Sequence, residues 1–353
     1  MLKVAIAGCG LVSSKKHIPA FLKLKNKVKI VAVCDLNETL AKEVAQRFSI
    51  EKHYNNFSNL LNTEKPDVVV ICTPPQTHAK LAMEAMEHGS HVLLEKPMAL
   101  NSNDCDLMNE VSVRTKRKIC IMHNQIFNPA LQRGKKLFLE GMIGDFVGMN
   151  LVLSTPVDYM TSIKDHWSHK LPGGVLGETG PHVVYLAKEF IGNIYDVDVF
   201  TKKHIPEYSW SNYEDFRIVL MGESGIGTVS LIYASNNWMG KLEIIGSRGT
   251  LSVDLQAQTV IKYERTKLKA MTVGLSLLSE VLQLLKEFSL NTMNYFIGKR
   301  SDAHSVGVEQ FVESILHDKP FPVSGFEGRD NVRVMEMLVD KMKNKKYEFA
   351  RSS

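Results

Sequence analysis

The chain has 353 residues, 44% of them hydrophobic and 23% charged, which is enough to bury a full core and favours two domains over one. Formal net charge is +5, and all of that excess falls in residues 1–122. No run of about 18 uncharged apolar residues occurs, so the sequence offers no membrane-spanning helix.

Six lysines, Lys15, Lys16, Lys23, Lys25, Lys27 and Lys29, come in quick succession without an acid. No arginine and a single aromatic residue, Phe21, accompany them, so the run reads as a solvated helix face, not a nucleic-acid surface. The five cysteines are odd in number, show no C-x-x-C spacing and lie in the first third of the chain, as unpaired thiols of a reducing cytoplasm do. The first residues enter a strand directly, which fits a chain without a leader peptide.

In chain order, Val4-Ala5-Ile6-Ala7 is a short apolar strand. It runs into Gly8-Cys9-Gly10-Leu11-Val12-Ser13, a G-x-G-x-x-G/A phosphate turn with serine in the third small place. Gly8 permits the tight turn, Gly10 lets the backbone approach a pyrophosphate, and Leu11 and Val12 begin the helix whose N-terminus faces it. The next strand, Lys29 to Cys34, ends at Asp35, where a carboxylate can accept the adenosine ribose hydroxyls and repel a 2′-phosphate. NAD is therefore expected over NADP, with NADP open because Lys15 lies near; a cap on the next helix is the bland reading of Asp35.

A third buried strand, Asp67 to Thr73, enters Pro74-Pro75-Gln76-Thr77-His78, placing Thr73, Pro74 and His78 beside the cofactor. The helix from His78 stops at His88-Gly89, and Val92-Leu93-Leu94-Glu95-Lys96-Pro97 is a further strand that ends on an amine. Strands alternating with helical segments imply right-handed crossovers and a parallel, doubly wound sheet over residues 1–122, with ligands at the strand carboxyl ends.

The ordered set of the glycine turn, Thr73-Pro74-Pro75 with His78, and Glu95-Lys96-Pro97 resembles the Gfo/Idh/MocA oxidoreductases, which include glucose-fructose oxidoreductase and inositol dehydrogenase. The resemblance spans nearly the whole chain. It implies a Rossmann domain followed by an α+β domain, here 123–353, with a mostly antiparallel open sheet whose free face often serves subunit pairing. Short turn-bounded runs agree: Phe146 to Leu153, Val197 to Phe200, Phe216 to Met221, Gly227 to Tyr233, Lys241 to Ile245 and Thr250 to Val253, with a hairpin turn at Gly246-Ser247-Arg248-Gly249.

In the glycine-rich stretch Gly173 to His182, Glu178 and His182 stand at i and i+4, so on a helix they share a face. The resemblance implies that an acid and His182 complete the site with Lys96. The family acid is usually Asp, here Glu178; a family acid three residues after the histidine is Tyr185, and an Arg that often precedes Phe127-Asn128-Pro129 is Ile126. His166-Trp167-Ser168-His169 reads as a polar loop with a substrate role for His166 and Trp167, and no metal is expected. The apolar helix over 270–297, with Leu275, Leu278, Leu282 and Leu285 on one stripe, reads as core or subunit-interface packing, with an interfacial membrane helix as the alternative.

The expected function is an NAD(P)-dependent oxidoreductase acting on a secondary alcohol or ketone of a sugar, polyol or sugar derivative. Lys96 and His182 form its polar acid/base pair, Glu178 orients His182, Glu95 positions Lys96, and Tyr185 lies at the substrate. A homodimer or homotetramer in the cytoplasm is expected, with neither nucleic acid nor membrane as partner. The alternative is a dinucleotide-binding sensor of the same fold without turnover.

Overall fold

The structure, a computed structural model, describes residues 1–296 and 302–344. They divide into two compact units, Met1–Phe127 with Ser301–Arg333, and Asn128–Arg300 with Val334–Ser353. The single cut after residue 122 thus differs from the structure, because residues 301–333 return to the first unit. Burial is the reason: Val308, Phe311 and Val312 of the helix Ala303–Leu316 join the apolar cluster of Val4, Ile6 and Leu93, while Val323 and Val332 join the cluster on the other face.

In the first unit, β1 (Leu2–Ala7), β2 (Val28–Cys34), β3 (Lys52–Tyr54), β4 (Val68–Ile71), β5 (His91–Glu95) and β6 (Ile119–Met122) form one sheet in the order β3-β2-β1-β4-β5-β6. All five pairings are parallel. Such strands are covered on both sides, which explains their unbroken apolar runs: Val68 and Val70 enter one cluster and Val69 and Ile71 the other. The strand order reverses between β1 and β4, the place where a doubly wound sheet opens a crevice at its carboxyl ends. Asn37, Asn56 and Asn101 cap the helices that follow them, each accepting a backbone N–H in the first turn.

In the second unit, β7 (Phe146–Pro156), β8 (Ile194–Lys202), β9 (Asp215–Gly222), β10 (Gly225–Ser235), β11 (Met239–Gly246), β12 (Gly249–Asp254) and β13 (Thr259–Tyr263) form a sheet in the order β13-β12-β11-β7-β10-β9-β8. Only β7 and β10 pair in parallel. Gly246 pairs with Gly249, so Ser247 and Arg248 form the two-residue hairpin expected there. Burial alternates along β9 and β10, and the helix Val175–Ile191 covers the apolar face. The opposite face is mixed: Asn150, Glu243, Thr228, Arg217 and Ser230 are hydrogen-bonded across strands beside exposed Ile226 and Phe200.

The apolar helix is present as Ala270–Phe296; the last residue of its expected span lies outside the described residues, as do 345–353. Core packing is not its role within the chain, because none of its described residues is buried. No helix among the described residues is long and apolar enough to cross a membrane.

Candidate active site

Gly8 sits at φ +93° where the ends of β2 and β4 close on it, its N–H donating to the Cys34 carbonyl at 2.8 Å. A Cβ there would lie 2.7 Å from the Cys72 carbonyl carbon. Gly10 is the opposite case: it is exposed, with nothing within 4 Å of an added Cβ. Leu11 and Val12, beside that opening, are exposed as well. The following helical segment is π-helical over Ser13–His17. Asp35 does more than face a ligand, since its two carboxylate oxygens accept the Cys9 N–H at 2.8 Å and the Asn37 N–H at 2.9 Å. The helix cap itself is Asn37, which takes the Leu40 N–H. A carboxylate offers about four acceptor sites, so two remain for ribose hydroxyls. The open space over Gly10 and an acceptor at the end of β2 fit a dinucleotide.

Thr73, Pro74 and Lys96 lie past the ends of β4 and β5, next to one another in the sheet. His78, expected at the cofactor, is fully buried, its ring nitrogens 2.8 Å from the Thr73 carbonyl and 2.9 Å from that of Pro97. It therefore ties the two turns together. Burial pulls its pKa below the ordinary value, against those two carbonyls. The Lys96–Pro97 peptide is cis.

Glu95 sits in a group that no local motif announces. Its Oε1 lies 2.7 Å from His17 Nε2 and 3.7 Å from His304 Nε2, and its Oε2 accepts the Lys96 backbone N–H at 3.2 Å. Two histidines and a carboxylate could hold a metal. The buried Nδ1 of His17, however, has no partner among the described residues. A metal on Nε2 would move the proton to Nδ1 and leave a buried donor without an acceptor. A hydrogen-bonded group, with His17 Nε2–H donating to Glu95, is the better physical account. Burial by itself would raise the Glu95 carboxyl, but the hydrogen bonds and charges of His17 and His304 outweigh it and hold the pKa well below the usual range.

That shift has a sign that can be tested. A folded-state pKa below the unfolded value of about 4.3 gives stabilisation that is complete above that pH and is lost as pH falls toward the folded pKa. Glu95→Gln is expected to flatten the acid limb of a melting-temperature profile while leaving its shape near neutrality. An unchanged acid limb contradicts this account of the carboxylate.

In the second unit, Glu178 and His182 lie on the helix Val175–Ile191, so the i, i+4 face exists. The helix begins after Gly174 at φ +62° and packs closely; a Cβ on Gly180 would meet Met335 at 2.6 Å. The Tyr185 hydroxyl meets His182 Nδ1 in a short hydrogen bond, and Thr179 Oγ1 donates to Glu178 at 2.7 Å. Tyr185 is buried, so it touches the histidine where direct substrate contact was expected. His166 caps the short turn Trp167–Lys170 through Ser168, and Trp167 is half-exposed beside it. Burial and then His169 lower the His166 pKa against the pull of Glu178. His169 Nε2 is buried without a partner among the described residues, an orphan polar atom in the same cluster.

None of the five cysteines forms a disulfide, and burial pushes the Cys9 and Cys120 thiols up to about 12, so neither is a thiolate near neutrality.

Residues 2–123 match an oxidoreductase family model described as an NAD-binding Rossmann fold, and residues 131–252 match a GFO/IDH/MocA C-terminal domain. An oxidoreductase of Formosa agariphila is 27% identical over 72% of this chain and 80% of its own length. The levoglucosan dehydrogenase of Pseudarthrobacter phenanthrenivorans is 26% identical over 65% of this chain and 55% of its own. The WlbA dehydrogenase of Bordetella pertussis, solved with NADH and UDP-GlcNAcA, superposes with a TM-score of 0.78 over 97% of each chain at 18% identity, a likeness of fold. With both of its models matched in order, and with the glycine turn and strand ends arranged for a dinucleotide, this chain belongs to the GFO/IDH/MocA family and is an NAD-dependent oxidoreductase.

Proposed function

We propose that the chain interconverts a secondary alcohol and a ketone on a sugar, polyol or sugar derivative, with Lys96 and His182 as its polar acid/base pair. The observation that carries this reading is the Glu95-Lys96 corner, a strand end one strand removed from the glycine turn, its carboxylate held ionised and bonded to His17 of the segment after that turn. Relatives named as dehydrogenases of levoglucosan and of inositol support the substrate class.

Bound NAD supplies the hydride acceptor. Lys96 donates a hydrogen bond to the substrate oxygen, where negative charge grows as the hydroxyl is deprotonated. His182 takes that proton. An Nδ1–H donated to the Tyr185 oxygen leaves the lone pair on Nε2, the form a base needs. Tyr185 is thus a positioning residue, Glu178 adds negative potential along the same helix face, and His166 and Trp167 receive substrate hydroxyls. The mixed outer face of the second sheet suits a homodimer or homotetramer, and cysteines without disulfides suit the cytoplasm.

The test is a screen of polyols, aldoses and nucleotide sugars with NAD and NADP, following the absorbance of reduced nicotinamide. At least one class is expected to turn over, with NAD preferred. In Asp35→Ala, NAD binding is expected to weaken about tenfold or more and the preference over NADP to shrink. Tight NAD binding without turnover of any class would instead favour a sensor that has lost its chemistry.

A further inference from the structure

The helix Ala270–Phe296 is attached to the second unit by its polar side. Gln283 pairs with the backbone of Lys262 in β13 through both its oxygen, at 2.8 Å, and its nitrogen, at 3.1 Å. Glu280 meets Arg265 at 3.2 Å, Glu287 meets Arg133 at 2.7 Å, and Asn291 donates to the Ala257 and Gln258 carbonyls at 3.0 Å. These residues occupy one helical face, as about 3.6 residues per turn requires. An amphipathic helix normally turns its apolar face to its own core, and this one does the reverse.

The arc opposite Gln283 is therefore apolar and open. Leu277, Leu278, Val281, Leu285 and Phe288 point that way and are between 46% and 65% exposed. The polar residues in that arc, Ser289 and Thr292, carry no charge. Just ahead of the helix, Lys267 and Lys269 are exposed on either side of Leu268, itself 88% exposed. An apolar face with a basic entry is complementary to anionic headgroups lying over acyl chains. A second copy of the chain fits less well. Parallel pairing sets Lys267 and Lys269 against themselves.

We propose that this helix docks the protein in the plane of an anionic lipid surface, without crossing it. It departs from the reading of the helix as core or subunit packing, and it is independent of which substrate the enzyme takes.

The full chain is sedimented with vesicles of phosphatidylcholine alone and with vesicles that also contain phosphatidylserine. Co-sedimentation with the anionic vesicles is expected, weakening in high salt as screening removes the lysine contribution. The pair Leu278→Glu and Leu285→Glu is expected to lower the bound fraction about tenfold or more, and Lys267→Glu with Lys269→Glu to lower it severalfold. NAD binding, unchanged in both, reports an intact fold. Wild-type protein that stays in the supernatant overturns the proposal. So does a wild-type dimer that Leu285→Glu dissociates while vesicles recruit neither form, because a second copy would then be the occupant.

Discussion

Lys96→Ala and His182→Ala are each expected to lower turnover about a hundredfold or more while leaving NAD affinity within about a factor of three. In the proposed reaction both residues act where charge and a proton move, so their loss falls on kcat more than on binding of the cofactor. The two variants should differ in their pH dependence. Removing His182 takes away the proposed base, so the residual rate should lose the acid-side fall that protonating that base produces. Removing Lys96 should keep that fall and lower the whole curve. Lys96→Arg is the informative control: charge is retained, but the planar guanidinium does not reproduce a compact ammonium, and recovery should be slight. Tyr185→Phe removes the hydroxyl that meets His182 Nδ1 without touching the other ring nitrogen, the proposed base. Its expected signature is a displaced pH profile with a loss of about tenfold or less. Near-normal turnover in both alanine variants would sink the assignment.

Much of this was legible in the sequence because it is local. The glycine turn, the Asp35 position and the Glu95-Lys96-Pro97 corner each sit at the end of one apolar run, and the run itself fixes where its end points. Glu178 and His182 lie a single helical turn apart, so the face they share follows from the helix alone. What escaped is non-local. His17 reaches Glu95 from the helical segment after the glycine turn, and only the return of residues 301–333 onto the first sheet brings His304 there from the far end of the chain. The orientation of the helix Ala270–Phe296 escaped for another reason. Its pattern displays two faces, but which one meets the sheet depends on acceptors and charges in Lys262, Arg265 and Arg133 that periodicity does not register. The strands β3, β6 and β13 escaped because Lys52–Tyr54, Ile119–Met122 and Thr259–Tyr263 are edge strands of only three to five residues, too short for a pattern to show.

The glycine turn allows its two glycines to be separated by experiment. Gly8→Ala forces a Cβ to 2.7 Å from the Cys72 carbonyl carbon and 2.8 Å from its oxygen, at a backbone φ of +93°. Backbone cannot yield as a flexible side chain does, since Cys72 N–H is already bonded to the Ala7 carbonyl at 2.8 Å. The unfavourable φ costs about 1–2 kcal/mol and the overpacking about 1–3 kcal/mol more. A fall in melting temperature on the order of 10 °C, together with loss of NAD binding, is expected. Gly10→Ala meets nothing within 4 Å and has no positive φ, so the fold should be nearly indifferent to it. NAD binding should nevertheless fall about tenfold or more, because the added methyl stands in the space a pyrophosphate must enter. Thermal melts and NAD titrations on the two variants separate the roles. If Gly10→Ala binds NAD as the parent does, the pyrophosphate does not approach over this turn, and the dinucleotide must be held from another side of the strand ends.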